Sequence, residues 1–130
     1  MKVSFLLLGL LLSLAGSASA QKSAVAIQCV AEDGDTIGVR FCSALRDAVA
    51  VSPRFQNVSI GAKEFHLAIR IVTTACWGDL KDSCSAQSVT FTWFDRAGDE
   101  YYLSSSVLLT GKNHIKDQAE AVLASLDYNN

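Results

Sequence analysis

Four cysteines, two histidines and a short acidic run carry the chemistry legible in this 130-residue chain. No two of Cys29, Cys42, Cys76 and Cys84 form a C-x-x-C pair, and neither His66 nor His114 lies beside a cysteine, so the spacing offers no zinc set. Four cysteines after an N-terminal export signal read instead as two disulfides formed in an oxidising compartment. Four cysteines allow three connectivities, among which sequence alone does not choose, and side-chain parity favours one. Val25, Ile27 and Cys29 share a face of the extended stretch 24–30, and Cys42 neighbours Phe41, Leu45 and Val49 on the apolar stripe of the segment that follows. Cys29 then ties strand to helix, through Cys42, and Cys76 with Cys84 closes a loop. Each such loop contributes on the order of 3 kcal/mol in the chain-entropy account.

The acidic run Glu32-Asp33-Gly34-Asp35 lacks the further ligands of a calcium loop. It reads as a turn that places acids at a helix N-terminus, where the helix dipole favours them. Among unperturbed side chains only histidine changes charge near neutral pH. Nothing resembling H-E-x-x-H or G-x-S-x-G surrounds His66 or His114, and Ser104-Ser105-Ser106 has no neighbouring glycine to form a nucleophile turn. No catalytic residue, metal or cofactor is assigned. The enzymatic alternative is His66 working with a carboxylate brought to it by the fold.

These residues must be positioned by a small set of elements. Lys2, the apolar run 5–14 and the small-residue site Ala18-Ser19-Ala20 read as an export signal over 1–20, leaving one domain over 21–130. No later run approaches the roughly 20 apolar residues of a membrane span. The organising stretch is 65–109, which alternates apolar with polar or small residues as three strands, 65–76, 88–94 and 101–109. In the last strand Leu103, Ser105, Val107 and Leu109 oppose Tyr102, Ser104, Ser106 and Leu108. Helices are predicted over 36–51, stopped by Pro53, and from a cap at Asn113, with Ile115, Ala119, Val122, Leu123 and Leu126 as the apolar stripe. Phe55, Val58 and Ile60 suggest a short further strand. The expected fold is α+β, a two-layer sandwich of an antiparallel sheet with two helices on one face, in the order β-α-(β)-β-β-β-α.

Charge narrows the functional classes. With 11 basic against 13 acidic residues and no basic cluster, the chain is not a nucleic-acid binder. The expectation is a periplasmic or secreted binding protein without catalysis, in the manner of an inhibitor, an immunity protein or an accessory subunit of an envelope assembly, with another protein as its partner. Two surfaces are candidates. One is the disulfide-closed loop with Trp77 and Leu80, pre-organised and carrying a residue type favoured at interface centres. The other is the uncovered sheet face, with His66, Arg70, Thr90, Thr92, Phe94, Tyr102, Ser104 and Ser106, where Arg70, Phe94 and Tyr102 stand out. Homodimerisation through that face is one form the second surface takes.

Overall fold

The structure is a computed structural model that describes residues 21–126. The export signal read over 1–20 lies outside the described residues. Elements follow in the order β1 (Ser23–Ala31), α1 (Thr36–Val51), β2 (Phe55–Asn57), β3 (His66–Ala75), β4 (Cys84–Phe94), β5 (Glu100–Gly111) and α2 (Ile115–Ser125), with a 3-10 turn at Gly78–Leu80. They form a two-layer α+β fold whose five strands lie in the order β2-β1-β3-β4-β5.

The sheet is mixed, not wholly antiparallel. β3, β4 and β5 make the antiparallel meander, whereas β1 pairs in parallel with both β2 and β3. The cause is connectivity: α1 carries the chain back along the sheet, so the strand after it runs in the direction of the strand before it. The stretch 58–65 then takes the chain past β1 to its other side. Alternation of side chains identifies strands but does not carry their direction.

Inward-facing residues of the central strands, Val25, Leu67, Ile69, Ile71, Val89 and Phe91, pack against Phe41, Leu45 and Val49 of α1. Ile115, Ala119, Val122 and Leu123 of α2, with Leu126 just beyond it, complete the core. α2 rests mainly on α1 and touches the sheet little. Its N-cap is His114, one residue later than the predicted Asn113, and makes no side-chain capping bond. Cys29 is joined to Cys42, pinning β1 under α1, and Cys76 to Cys84, across the β3–β4 connection.

The contact that seats α1 is polar. Asp35 is the N-cap of the helix and is buried, and its Oδ1 accepts the Gly38 N–H at 2.8 Å. Its Oδ2 accepts the hydroxyls of Thr73 on β3 and Ser85 on β4, both at 2.6 Å. Gln87 donates to the Ser85 carbonyl at 3.1 Å and accepts from the Thr110 hydroxyl at 2.8 Å. A buried polar layer therefore crosses β3, β4 and β5 beneath the helix N-terminus, with each side chain satisfied as burial demands. Gly34, at φ +86°, turns the chain into the cap. Gly38 permits the close approach: a Cβ there would stand 1.9 Å from Thr73 Oγ1 and 2.2 Å from Asp35 Oδ2.

A test follows from that approach. By helix propensity alone, Gly38→Ala stabilises a helix by about 1 kcal/mol. Here it displaces Asp35 and Thr73, and we expect urea unfolding to show a loss of about 1–3 kcal/mol, the range of an overpacked interior. A gain in stability would mean that the helix end does not press on the sheet as described.

Candidate functional site

Both helices cover one face of the sheet. On the opposite face the register places three rows side by side. His66, Phe94 and Glu100 form the first, Ala68, Thr92 and Tyr102 the second, and Gln28, Arg70, Thr90 and Ser105 the third. Further along, Val30, Val72, Ser88 and Val107 form a row, followed by Thr74, Ala86 and Leu109. The face thus has a polar end and an aliphatic end.

Arg70 organises the polar end. Its Nε donates to Glu100 Oε1 at 2.8 Å and its Nη2 to Oε2 at 3.1 Å, while Nη1 donates to the Gln28 side-chain oxygen. Because Arg70 is on β3 and Glu100 on β5, the pair reaches across β4, and the Thr92 hydroxyl beneath it donates to Glu100 Oε1 at 2.8 Å. The guanidinium lies 5.9 Å from the centre of the Phe94 ring. Phe94 in turn stacks on His66, with ring centroids 4.7 Å apart. The Arg70 cation is therefore already engaged within the sheet. Tyr102 is exposed, and its hydroxyl shares a 3.1 Å hydrogen bond with Ser105.

His66 departs from its predicted surface position and is fully buried. Its Nδ1 donates to the backbone carbonyl of Glu64 at 2.8 Å, and its Nε2 has no hydrogen-bond partner among the described residues. No carboxylate is among its hydrogen-bond partners there, so the acid-base pair of the enzymatic alternative is not assembled. Nor do any three of the His, Cys, Asp and Glu side chains among the described residues gather as a metal site. His114 is exposed, with Nδ1 3.9 Å from Asp117.

Trp77 and Leu80 sit in the disulfide-closed loop at the far end of β3, on either side of the first residues of the 3-10 turn, and both are exposed, Trp77 at 85%. They do not join Arg70, Phe94 and Tyr102. The last two lie level with His66 and Ala68 of β3, so all three are about 15–30 Å of strand from the end of β3 at Ala75, at about 3.3 Å per residue. What lies nearer is the aliphatic end of the face. Val30 and Val72 are more than half exposed, Val107 is 76% exposed and Leu109 70%.

Sequence reasoning missed this cluster because of one residue. Phe91 pairs with Ser104 but Thr92 with Tyr102, so Leu103 is an extra residue, a β-bulge. Beyond it, parity reverses. Ser104 and Ser106, expected on the open face, turn to the helix side with Leu108 and Thr110, while Ser105, Val107 and Leu109 face outward. Two further aromatic contacts lie on the helix side, where Trp93 stacks on Tyr101 at 4.2 Å and meets Phe65 at 5.5 Å.

The Arg70 bond holds the Glu100 carboxyl below its ordinary value of 4.5, with the Thr92 hydroxyl acting in the same direction against partial desolvation. A depressed carboxyl pKa contributes stability that is present above the unfolded value and is lost as pH falls through the folded one. Glu100→Gln should therefore lower stability at pH 7, by under about 1 kcal/mol because both side chains are about a third exposed. The difference from the unsubstituted chain should shrink in urea titrations at pH 3. A difference that is the same at both pH values would remove the ion pair from the account.

No family model matches the sequence, and no curated protein matches it. Among solved structures, the chain is similar to a minor lipoprotein from Acinetobacter baumannii at 12% identity, covering 82% of this chain and 94% of that one with a TM-score of 0.49. A PelC dodecamer from Paraburkholderia phytofirmans is similar at 12% identity, 77% and 80% coverage and a TM-score of 0.47. A hypothetical protein from Chlamydia trachomatis is similar at 13% identity, 70% and 73% coverage and a TM-score of 0.41. At this level of similarity no activity or partner passes to this chain.

Proposed function

We propose that this is an exported, non-enzymatic binding protein that docks a partner protein on the aliphatic end of its open sheet face and on the adjoining Trp77 loop. The observation that carries the proposal is the placement of Val30, Val72, Val107 and Leu109 at one end of the open face, the end from which the loop with Trp77 and Leu80 leaves β3, each of the six more than half exposed. Soluble chains expose scattered apolar residues freely, but several large apolar residues exposed on neighbouring strands of one face, with Ser88 between Val72 and Val107, are more in keeping with a docking site. A polar border surrounds it: Asp79, Lys81 and Asp82 in the loop, and the Arg70–Glu100 pair further along the sheet. An apolar centre with a polar rim is the anatomy of a protein interface. In this reading Trp77 and Leu80 are anchors, and Arg70, Phe94 and Tyr102 belong to the rim.

The two disulfides are consistent with an extracytoplasmic location. No helix among the described residues is long and apolar enough to cross a membrane. The Cys76–Cys84 bridge limits the freedom of the loop, so less conformational entropy is lost when it docks. What supports binding over catalysis is that His66 is buried and, among the described residues, has no carboxylate as a hydrogen-bond partner.

The test is capture from the envelope and medium of the source cells with the oxidised protein, alongside Trp77→Ala and Val72→Asp. Both positions are exposed, so each variant should keep its unfolding free energy within about 0.5 kcal/mol. Both should lose a partner that the unsubstituted chain retains. A partner held equally by all three proteins would move the site elsewhere, and a large loss of stability in Trp77→Ala would make that side chain structural.

A further inference from the structure

The two edges of the sheet are treated differently. β2 is three residues long and offers little edge to another chain. β5 is twelve residues long, and among the described residues no strand pairs with its outer side. From Tyr101 to Gly111 it carries no charged residue and no proline, the usual means by which an exposed edge is kept from pairing. Its one bulge, at Leu103, lies near the start, and from Ser104 to Gly111 the register against β4 runs without a break. We propose that β5 pairs antiparallel with β5 of a second copy of this chain, joining two five-stranded sheets into one.

Geometry sets the register of that pairing. Two identical strands run antiparallel side by side when related by a two-fold axis perpendicular to the sheet, and this operation keeps both open faces on the same side. Residues opposite one another must share a face, so the axis passes through a residue and its own copy. The midpoint of the segment from the bulge at Leu103 to Gly111 is Val107. Centred there, Val107 meets its copy and Ser105 meets Leu109 on the open face, while Ser106 meets Leu108 and Ser104 meets Thr110 on the helix side. No pair brings charges together. The chain is net negative as a whole, so two copies meet with least repulsion along this uncharged strand. The row of Val30, Val72, Ser88 and Val107 then runs on into the same row of the second copy.

This pairing uses the sheet edge and stands apart from the partner-docking proposal, which uses the face; either survives failure of the other. Sedimentation of the oxidised protein over a concentration series should give a particle of twice the chain mass. Val107→Lys places two ammonium groups directly opposite and should weaken the dimer at least ~tenfold. Thr90→Glu charges the open face away from the edge and should leave the dimer intact, as should Gln56→Lys on β2. Amide exchange in β5 of the unsubstituted chain should slow as concentration rises, a readout that needs no variant. A monomer at every concentration would overturn the pairing, as would a dimer indifferent to Val107→Lys. A dimer broken by Thr90→Glu would replace it with packing between faces.

Discussion

The carboxylate of Asp35 is the constraint on which the arrangement depends. One side chain caps α1, reaches β3 through Thr73 and reaches β4 through Ser85. Hydrogen bonds to a charged group contribute about 1.5–3 kcal/mol each, a large share of the roughly 5–15 kcal/mol by which a domain of this size is stable. The apolar core would accept α1 at several rotations and offsets, because hydrophobic burial has no direction. The carboxylate accepts one. With the helix end set, Cys42 comes to lie over Cys29, at a Cα separation of 5.8 Å, and Gly38 lies against the sheet. The covered face is thereby defined, and so is the uncovered one.

Much of this was legible in residue order. The acidic turn, the apolar stripe of Phe41, Leu45 and Val49, and Pro53 delimit α1 correctly, because cap, face and stop are local signals. The faces of β1 and the inward pairing of Cys29 with Cys42 follow from the period of two. Reasoning failed where tertiary contacts overrode local pattern. β4 begins at Cys84, four residues before the predicted start, because Ser85 and Gln87 occupy inward positions as polar residues and are satisfied there by Asp35 and Thr110. Only the fold brings those partners together. His66 reads in sequence as a surface residue of the uncovered sheet face, yet the fold stacks it on Phe94 and buries it.

The bulge at Leu103 had the widest consequence for the candidate site. One residue that consumes no partner exchanges the two faces of everything after it. Without it, Val107 and Leu109 would point toward the helices and serines would line the open side. With it, the aliphatic residues of β5 line up with Val72 and Val30, and the serines lie where α2 gives little cover. The polar end is held by a different logic, in which Arg70 links β1, β3 and β5 through Gln28 and Glu100. A cation that reads as available in sequence is in the fold a clasp across the sheet.

The two tryptophans occupy environments so unlike that the protein carries its own pair of optical reporters. Trp93 stacks on Tyr101 and meets the tilted ring of Phe65, while Trp77 projects from the closed loop into water. Emission from Trp77 should be red-shifted and open to collisional quenchers, whereas Trp93, half-buried and stacked on Tyr101 of the neighbouring strand, should change its emission when β4 and β5 part. A single fluorescence spectrum therefore separates events at the loop from the integrity of the sheet, with no label attached to either.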